Sequence, residues 1–373
     1  MVWQEGAGRR ARRLLLAVAV LAGAQVAGLA GRGLALWLAA GARRLAPPAV
    51  ARSGATGRLV GGSALPTPLI LGYYDGGGVG SAGWFDMVLH TGTLNGIVPD
   101  WFEIWSQGQI TGTADPGVMA YARAHGLWTF ALVQQNADPA VFRTLLTSAT
   151  NQAKACQNLL RLVEADGFDG VNLDFEGIAP AQRDAFTRFV QRLSGLFHAH
   201  GYYVTLSLPA ETANDPANSW TGAYDYAALG RAADLVMPMA YDFHYAGGPP
   251  GGVAPEAWVA NVARYAVSVI PPQKIVLGVP GYGYDWGGGP VAAPLSFSQA
   301  AGLDDQYARG RAGSHFAYTA QGVVHEVYFN DSQSFAGQVQ VALDYNLRGV
   351  VLWRLGIEDP AIWRLLAPSR AAP

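Results

Sequence analysis

Cysteine and metal-binding patterns are almost absent from the sequence. It has one cysteine, Cys156, among 373 residues, so an internal disulfide is excluded. No Cys/His cluster has the spacing of a structural zinc site, and we expect neither a metal ion nor a cofactor. Cys156 lies in the helical pattern NQAKACQNLLRLVEA, and we expect it to be a small core residue rather than a nucleophile.

Charged residues are scarce, at 14%, whereas half of the chain is hydrophobic. A chain of this composition can bury a large core, which excludes wholesale disorder. Nine of the 25 Lys and Arg residues but one of the 27 Asp and Glu residues lie within residues 1–60, and the remainder carries a balance of −10. An acidic body argues against nucleic acid as a partner, because phosphate binding requires a basic surface.

Long apolar runs are few, and the most prominent one follows a group of four arginines near the N-terminus. It covers residues 14–30, between the length of a signal-peptide core and that of a membrane span, and a second run covers 33–42. We predict that residues 1–44 are a signal peptide or an N-terminal membrane anchor and that the rest is exported. Residues 45–68, rich in Ala, Pro, Gly and Ser, are predicted to be a flexible linker. A buried soluble helix is the alternative for 14–30, but the segment has no polar face.

From residue 69 onward, short apolar runs alternate with longer amphipathic helical patterns. The runs are 69–74, 94–104, 127–133, 170–176, 202–210, 235–241, 274–284 and 349–356. Eight strand–helix units over this length are typical of a (β/α)8 TIM barrel, which we predict for residues 69–368. A doubly wound open sheet is the alternative, but no G-x-G-x-x-G motif follows the first run.

The interval between the seventh and eighth runs is too long for a single helix. It contains HFAYTAQGVVHEVYF, which has the pattern of a β-hairpin around Gln321 and Gly322. We therefore predict a small α+β insertion at about residues 287–330, on the upper face of the barrel.

The fourth run lies in GFDGVNLDFEGI, residues 167–178, which places carboxylates within an apolar segment. Alternate strand residues share a face, so Val171, Leu173 and Phe175 are expected to face the helices. Asn172, Asp174 and Glu176 would then point into the barrel and rise toward its carboxyl-terminal mouth, where barrel enzymes hold their active sites.

An edge strand with one solvated face is the alternative explanation for these carboxylates. It does not fit the fourth strand of eight, which should be enclosed on both sides. Burying unpaired carboxylates is costly, so a functional site is the better interpretation. Stacked polar groups that end in a glutamate suit a general acid whose pKa is raised by burial and by a neighbouring carboxylate.

The segment resembles the signature of glycoside hydrolase family 18, the chitinase-like barrels. The four positions of the family pattern D-x-x-D-x-D-x-E are occupied by Asp169, Asn172, Asp174 and Glu176. MAYD, from Met239, matches the M-x-Y-D of the sixth strand, and Trp353 matches the tryptophan that ends the eighth. The resemblance spans about residues 68–366. VAPEAWVANVARYAVSVIPPQKIVLGVPGYGYDW and GVVLWRLGIEDPAIW resemble a bacterial subgroup with spore-cortex and cell-wall N-acetylglucosaminidases and deacetylase-fused domains.

One position departs from the family pattern. Asn172 replaces the second aspartate, and an amide can hydrogen-bond Asp174 but cannot take its proton or share its charge. The subgroup that the chain resembles commonly has this asparagine. Both Asp174 and Glu176 are retained, and we expect an active site.

The resemblance implies substrate-assisted retaining hydrolysis. Glu176 would be the acid and then the base, Asp174 would orient the 2-acetamido group that attacks the anomeric carbon, and Tyr241 would bond its oxygen. The substrate-binding residues expected from the resemblance and from aromatic residues near strand ends are Asn172, Asp242, Met239, Trp353, Tyr74, Trp101, Tyr282 and Tyr284. Weaker candidates are Trp286, His244 and Glu211, whereas Tyr73 is expected to be core.

The expected activity is that of an exported glycosidase acting on β-linked N-acetylglucosamine polymers. Peptidoglycan, chitin-like chains and poly-N-acetylglucosamine exopolysaccharide share the acetamido group and are not separated by the sequence. The alternative is a non-catalytic carbohydrate-binding barrel at the cell surface. We expect a monomer that contacts membrane only through the N-terminal segment, if that segment is uncleaved.

Overall fold

The computed structural model describes residues 65–136, 138–308 and 314–366. Within these ranges there are thirteen strands and ten α-helices. The strands are Leu69–Asp75 (β1), Gly96–Ile104 (β2), Ile110–Gly112 (β3), Trp128–Gln135 (β4), Gly170–Asp174 (β5), Tyr203–Pro209 (β6), Leu235–Met239 (β7), Val276–Pro280 (β8), Tyr282–Gly287 (β9), Ala293–Ser296 (β10), His315–Ala320 (β11), Val323–Phe329 (β12) and Gly349–Trp353 (β13). The helices are Ala82–Leu89 (α1), Pro116–Ala124 (α2), Pro139–Thr147 (α3), Ala149–Asp166 (α4), Arg183–Ala199 (α5), Tyr226–Ala232 (α6), Glu256–Val269 (α7), Phe297–Leu303 (α8), Ser332–Asp344 (α9) and Ile362–Leu366 (α10).

Eight of the strands close into a parallel barrel, which confirms the predicted (β/α)8 fold. The order around it is β1, β2, β4, β5, β6, β7, β8 and β13, and β13 pairs with β1 in parallel to close the ring. Each predicted apolar run overlaps one of these strands, although β1 and β4 extend one and two residues beyond their runs. The helices between them form the outer shell, as right-handed strand–helix–strand connections require.

The amphipathic patterns form helices that bury their apolar faces against the barrel. On α5, the apolar residues at helical spacing include Phe186, Phe189 and Leu193, and all three are buried against the barrel wall. Helix α4 starts at the side-chain cap of Ser148 and ends at Gly167, whose φ of 72° is accessible mainly to glycine. Cys156 is buried in this shell core, where burial raises the pKa of its thiol to about 12.

The predicted insertion between the seventh and eighth barrel strands is present. Strands β9, β10, β11 and β12 form a small antiparallel sheet, and α8 packs beside it. The hairpin between β11 and β12 turns at Gln321 and Gly322, which have φ values of 51° and 80°. Left-handed backbone at both turn positions is typical of a two-residue hairpin.

The barrel interior below the mouth is filled by an apolar cluster. Its members come from alternate positions of the strands, and Leu65, just before β1, covers part of its lower end. The cluster consists of Leu65, Leu69, Leu71, Tyr73, Val98, Trp128, Phe130, Leu132, Leu235, Met237, Val276 and Val351.

The predicted signal or anchor at residues 1–44 and most of the predicted linker lie outside the described residues. Residues 65–68 of that linker are described, and the Arg348 guanidinium donates a hydrogen bond to the Leu65 carbonyl oxygen. Among the helices of the described part of the chain, none has the length and apolar character needed to span a membrane.

Candidate active site

Strand β5 divides its side chains between the two sides of the barrel wall. Leu173 and Phe175 pack into the core shared with the helices. Asn172 and Asp174 lie inside the barrel, where they are 0% and 5% exposed. Glu176 follows the end of the strand and reaches the cleft at the barrel mouth. The polar residues of the acidic segment therefore lie on the inner side, as their spacing indicates.

The backbone of Glu176 is fixed by the side chain of Gln135, at the end of β4. The Glu176 N–H donates to Gln135 Oε1 at 2.9 Å, and Gln135 Nε2 donates to the Glu176 carbonyl at 2.6 Å. These two bonds continue the strand pairing beyond the end of β5. Sequence reasoning missed Gln135, because no motif marks a single glutamine at a strand end.

The two central carboxyl groups have raised pKa values. Burial raises the pKa of Asp174 well above its ordinary value, and the charges of Glu176 and Asp100 raise it further. Burial is also the main cause of the raised Glu176 pKa, with a smaller effect from Asp242. Two neighbouring carboxyl groups of this kind hold one proton between them over a range of pH.

Asn172 lies one step below Asp174 on the inner face and is bound to the neighbouring strand. Its Nδ2 donates to Thr205 Oγ1 at 2.9 Å, and its Oδ1 accepts from Ser207 Oγ at 2.8 Å. The amide is therefore engaged with β6 rather than with Asp174. Among the described residues, Asp174 Oδ1 is buried and has no hydrogen-bond partner.

The end of β7 supplies Met239, Tyr241 and Asp242 to the same cleft. Within the described ranges, the buried Tyr241 hydroxyl also lacks a hydrogen-bond partner. Asp242 has a φ of 60° and accepts hydrogen bonds from the hydroxyls of Tyr282 and Tyr284 at 2.5 and 3.0 Å. A non-glycine residue held in left-handed backbone is a form of strain that clusters at functional sites.

Aromatic rings form the floor of the site. Trp353 ends β13, and its ring lies 6.5 Å from that of Tyr241 at an interplanar angle of 29°. Tyr73 packs edge-on against Trp353 with ring centroids 5.0 Å apart, and its hydroxyl lies 2.6 Å from Ser207 Oγ. Tyr73 is a core residue, as predicted, but it belongs to the barrel interior and supports the floor.

These side chains surround a cleft of about 310 Å³ at the carboxyl ends of the strands. Eight of the predicted site residues line it: Asp174, Glu176, Met239, Tyr241, Asp242, Tyr282, Tyr284 and Trp353. The other lining residues are Asp75, Pro294, Leu295, Ser296, Gln299, Arg354 and Ile357. The insertion therefore forms one wall, through residues 294–299.

Three of the predicted substrate-binding residues, Asn172, Tyr74 and Trp101, do not line the cleft. The Tyr74 hydroxyl donates to the Gly78 carbonyl at 3.0 Å, and its buried ring packs edge-on against Trp101 at 5.7 Å. Both belong to the core between wall and helices. The inward residue of β1 is Tyr73 rather than Tyr74. Strand β1 is buried on both faces, so its sequence shows no alternation that would fix the inner side.

A second acidic group at the mouth was missed by sequence reasoning. Asp75 forms an ion pair with Arg354 at 2.8 Å, and both residues line the cleft. Asp100 accepts a hydrogen bond from Gln134 at 2.8 Å, and burial, followed by the charge of Asp75, raises its pKa to about 7. In the described ranges, no group of three or more His, Cys, Asp or Glu residues is arranged to hold a metal ion.

The weaker candidates, Trp286, His244 and Glu211, have contacts outside the cleft. Trp286 donates through its indole N–H to the Gly248 carbonyl at 3.0 Å. His244 Nδ1 lies 3.0 Å from the Pro249 carbonyl. Glu211 is buried after β6, and burial raises its pKa to about 8. None of the three lines the cleft.

Known proteins resemble the chain in sequence. The family described as "Glycosyl hydrolases family 18" matches residues 122–358. The cortical fragment-lytic enzyme of Bacillus subtilis is 34% identical over 237 residues, which are 60% of this chain and 55% of that protein. The chain thus spans about half the length of the first curated relatives it matches.

Solved structures resemble the chain in fold as well. The spore cortex-lytic enzyme of Bacillus cereus superposes with a TM-score of 0.72 at 28% identity, covering 80% of this chain and 73% of that one. A chitinase from Chromobacterium violaceum gives a TM-score of 0.74 at 29% identity, covering 82% of this chain and 100% of that one.

Proposed function

The chain belongs to glycosyl hydrolase family 18, and we propose that it hydrolyses polysaccharides containing β-linked N-acetylglucosamine with retention of configuration. The observation that carries the proposal is the convergence of Asp174, Glu176 and Tyr241 on one cleft. In the described part of the chain, Asp174 Oδ1 and the Tyr241 hydroxyl are buried there without partners. An acetamido group offers the N–H and the C=O that these two atoms would bind.

The first step transfers a proton from Glu176 to the glycosidic oxygen. In the free enzyme, burial raises the pKa of both carboxyl groups, so the pair holds a proton between them. A bound acetamido N–H that donates to Asp174 stabilises its ionised form, so the proton moves to Glu176. Glu176 is then a neutral acid beside the bond to be broken, and Gln135 holds its backbone in place.

The second part of the first step is the attack of the acetamido oxygen on its own anomeric carbon. The bond from that carbon to the leaving sugar breaks as the new bond forms, and the leaving oxygen takes the Glu176 proton. The charge of Asp174 stabilises the cationic oxazolinium ring, while Tyr241 donates to the acetamido oxygen. Glu176 then removes a proton from water, which attacks the same carbon and restores the acetamido group.

The remaining residues would hold the sugar ring. Trp353 offers an aromatic face beneath it, beside the ring of Tyr241. Asp242 is fixed by Tyr282 and Tyr284, so its free oxygen would meet a sugar hydroxyl without a large loss of side-chain entropy. This fixed geometry would favour one ring orientation.

The natural polymer and the site of action belong to the same proposal. Relatives named for cortical fragment lysis, spore cortex lysis and chitin hydrolysis favour an N-acetylglucosamine polymer. They also favour action outside the cytoplasm, by a monomer that touches membrane only through the N-terminal segment, if at all. No cofactor is required by the steps above.

A product analysis with three substrates tests the proposal. Chitin oligomers, peptidoglycan and poly-N-acetylglucosamine would be incubated side by side, with the anomeric form of new reducing ends followed by NMR. We expect cleavage of at least one polymer with an initial β-anomer. A glucose polymer without the acetamido group should remain intact, because the internal nucleophile is missing. Cleavage of plain glucan, or an initial α-anomer, would overturn the mechanism.

A further inference from the structure

A carboxyl group on β2 lies inside the barrel at the same level as Asn172. Asp100 is opposite Leu132 of β4, and Leu132 is opposite Asn172 of β5. Val98, two residues before Asp100, belongs to the apolar cluster of the barrel interior, so Asp100 is on the inner side as well. It is two strand spacings, or about 10 Å of backbone, from the strand that carries Asp174.

The side chain of Asp100 is held in place by neighbours on both sides. Gln134 of β4 donates a hydrogen bond to it at 2.8 Å, and Gln134 is itself opposite Asp174 in the strand register. On the other side, Asp75 of β1 is opposite Asp100, and its charge is paired with Arg354 at 2.8 Å. Polar side chains of four adjacent strands thus connect Arg354 with Asp174 across the barrel mouth.

Other titratable groups surround the pair formed by Asp174 and Glu176. Burial raises the pKa of the surrounding phenols, so these groups are neutral near neutral pH. The nearby charge that acts on Glu176 is that of a carboxyl group bound by two further phenols. These groups are Tyr73, Tyr224, Tyr241 and Asp242. Among the described residues, Asp100 is the carboxyl group outside the pair whose charge acts on Asp174.

We propose that Asp100 is a positioning residue whose negative charge keeps, on the pair of Asp174 and Glu176, the proton that Glu176 donates. This rests on the proposed function, which makes Glu176 the proton donor. A negative charge beside two carboxyl groups opposes the loss of their last proton. Asn172 is uncharged and is bound to Thr205 and Ser207, so the charge comes from β2.

The protonation of Asp100 itself fits this role. Burial, followed by the charge of Asp75, raises the pKa of Asp100 to about 7. Its negative charge therefore develops as the pH rises through neutrality, and it then opposes proton loss from the pair at higher pH.

The test compares Asp100→Asn and Asp100→Glu with the wild type in the full-length protein. Asparagine keeps the shape of the side chain and an oxygen that accepts from Gln134, and Asp100→Ser is a second neutral variant. The control is Glu103→Gln, because Glu103 is also an acidic residue of β2 but binds Asn136 and does not line the cleft. The kcat/KM would be measured against pH on the polymer that the product analysis identifies.

The alkaline limb of this profile reports loss of the proton from the free enzyme. We expect Asp100→Asn and Asp100→Ser to move the limb to lower pH by about half to one pH unit, the effect of one charge about 10 Å away. Asp100→Glu should restore the wild-type limb, and Glu103→Gln should leave it unchanged. A lower kcat/KM with an unmoved limb would indicate a purely structural role and would overturn the proposal, as would an equal shift in Glu103→Gln.

A titration that does not depend on activity separates this proposal from the proposed function. The aspartate carboxyl carbons would be labelled with ¹³C, and the NMR signal of Asp174 would be identified by its absence in Asp174→Asn. If the wild type hydrolyses no polymer, the proposed function fails, and the midpoint of the Asp174 signal decides the role of Asp100. A lower midpoint in Asp100→Asn would support the proposal, whereas an unchanged or higher midpoint would overturn it.

Discussion

The lower and upper halves of the barrel interior contain side chains of opposite polarity. The lower half is apolar and fully buried, as Leu71 and Phe130 illustrate. The upper half gathers carboxyl and phenol groups, and in the described ranges it leaves Asp174 Oδ1 and the Tyr241 hydroxyl without partners. Buried polar atoms without partners lower stability unless a ligand completes them. The difference indicates that the mouth is arranged for binding and the base for folding.

The largest expected effect is on turnover, at the mouth. Glu176→Gln keeps the shape of the side chain but removes the transferable proton. General acid–base catalysis contributes on the order of 10²–10⁴-fold, so kcat should fall by at least that range, or about 3–5 kcal/mol in barrier. Asp174→Asn should also lower kcat strongly, because it removes the charge that we propose to stabilise the oxazolinium. Steady-state kinetics on the polymer identified as substrate would measure both.

Glu103→Gln is the matched control for this change. Glu103 is also a glutamate near the mouth, where it accepts a hydrogen bond from Asn136 at 2.9 Å, but it does not line the cleft. It should keep wild-type kcat. Retained turnover in Glu176→Gln would show that Glu176 is not the proton donor and would remove the distinction between the two halves.

A substitution in the apolar lower half of the barrel interior should affect stability rather than turnover. Phe130→Ala should lower the free energy of unfolding by about 3–5 kcal/mol, because it leaves a cavity in a packed interior. Phe130 pairs with Gly170, four residues below Asp174, or about 13 Å along the strand. The activity of the folded fraction should therefore be nearly unchanged at low temperature. Urea unfolding would measure the stability, and assays at urea concentrations below the transition would measure the activity. A loss of activity without a loss of stability would contradict the assignment of folding to the lower half and of catalysis to the upper half.

Strands β1 and β5 illustrate what the sequence can predict. In β5, polar residues alternate with apolar residues, so the sequence alone predicts which side chains point into the barrel. In β1, both faces are apolar, and the outward Tyr74 was assigned to the site while the inward Asp75 was missed. Alternation carries information only where the two faces differ chemically.

Long-range contacts set another limit on prediction. The fold follows from repeated strand–helix units, and most cleft residues follow from motifs. Gln135, Arg354 and the wall at residues 294–299 come from distant parts of the chain and acquire roles only when the barrel closes. The hydrogen-bond partners of Asn172 on β6 likewise depend on the register between β5 and β6, which no local sequence pattern predicts.

A smaller effect, on the free energy of unfolding, is expected at Glu211, which follows β6 at the barrel mouth but does not line the cleft. Burial raises its pKa from 4.5 to about 8. The folded state thus binds a proton that the unfolded state has lost between these values, so stability is greatest below about pH 4.5 and declines as pH rises to about 8. Glu211→Gln should raise the free energy of unfolding by about 1–3 kcal/mol at pH 8. The gain should vanish near pH 4, and a pH-independent effect in denaturant titrations would exclude this assignment.

The smallest effect on turnover is expected at Asn172. The Asn172 amide binds Thr205 and Ser207 rather than Asp174, so we expect it to stabilise the barrel wall and not to exchange protons with Asp174 or Glu176. Asn172→Asp should therefore change kcat by less than about tenfold, or about 1.4 kcal/mol. It should lower stability at neutral pH, because a carboxyl group there is fully buried and loses the donor to Thr205.

Thr205→Val is the matched control for Asn172→Asp, because it removes the same hydrogen bond without adding a carboxyl group. If both variants lose stability but only Asn172→Asp shifts the pH–rate profile, the added carboxyl group couples to Asp174. A gain in kcat well above tenfold would contradict the expectation and would mean that the asparagine weakens catalysis in the natural sequence. The upper half would then be tuned for binding more than for turnover.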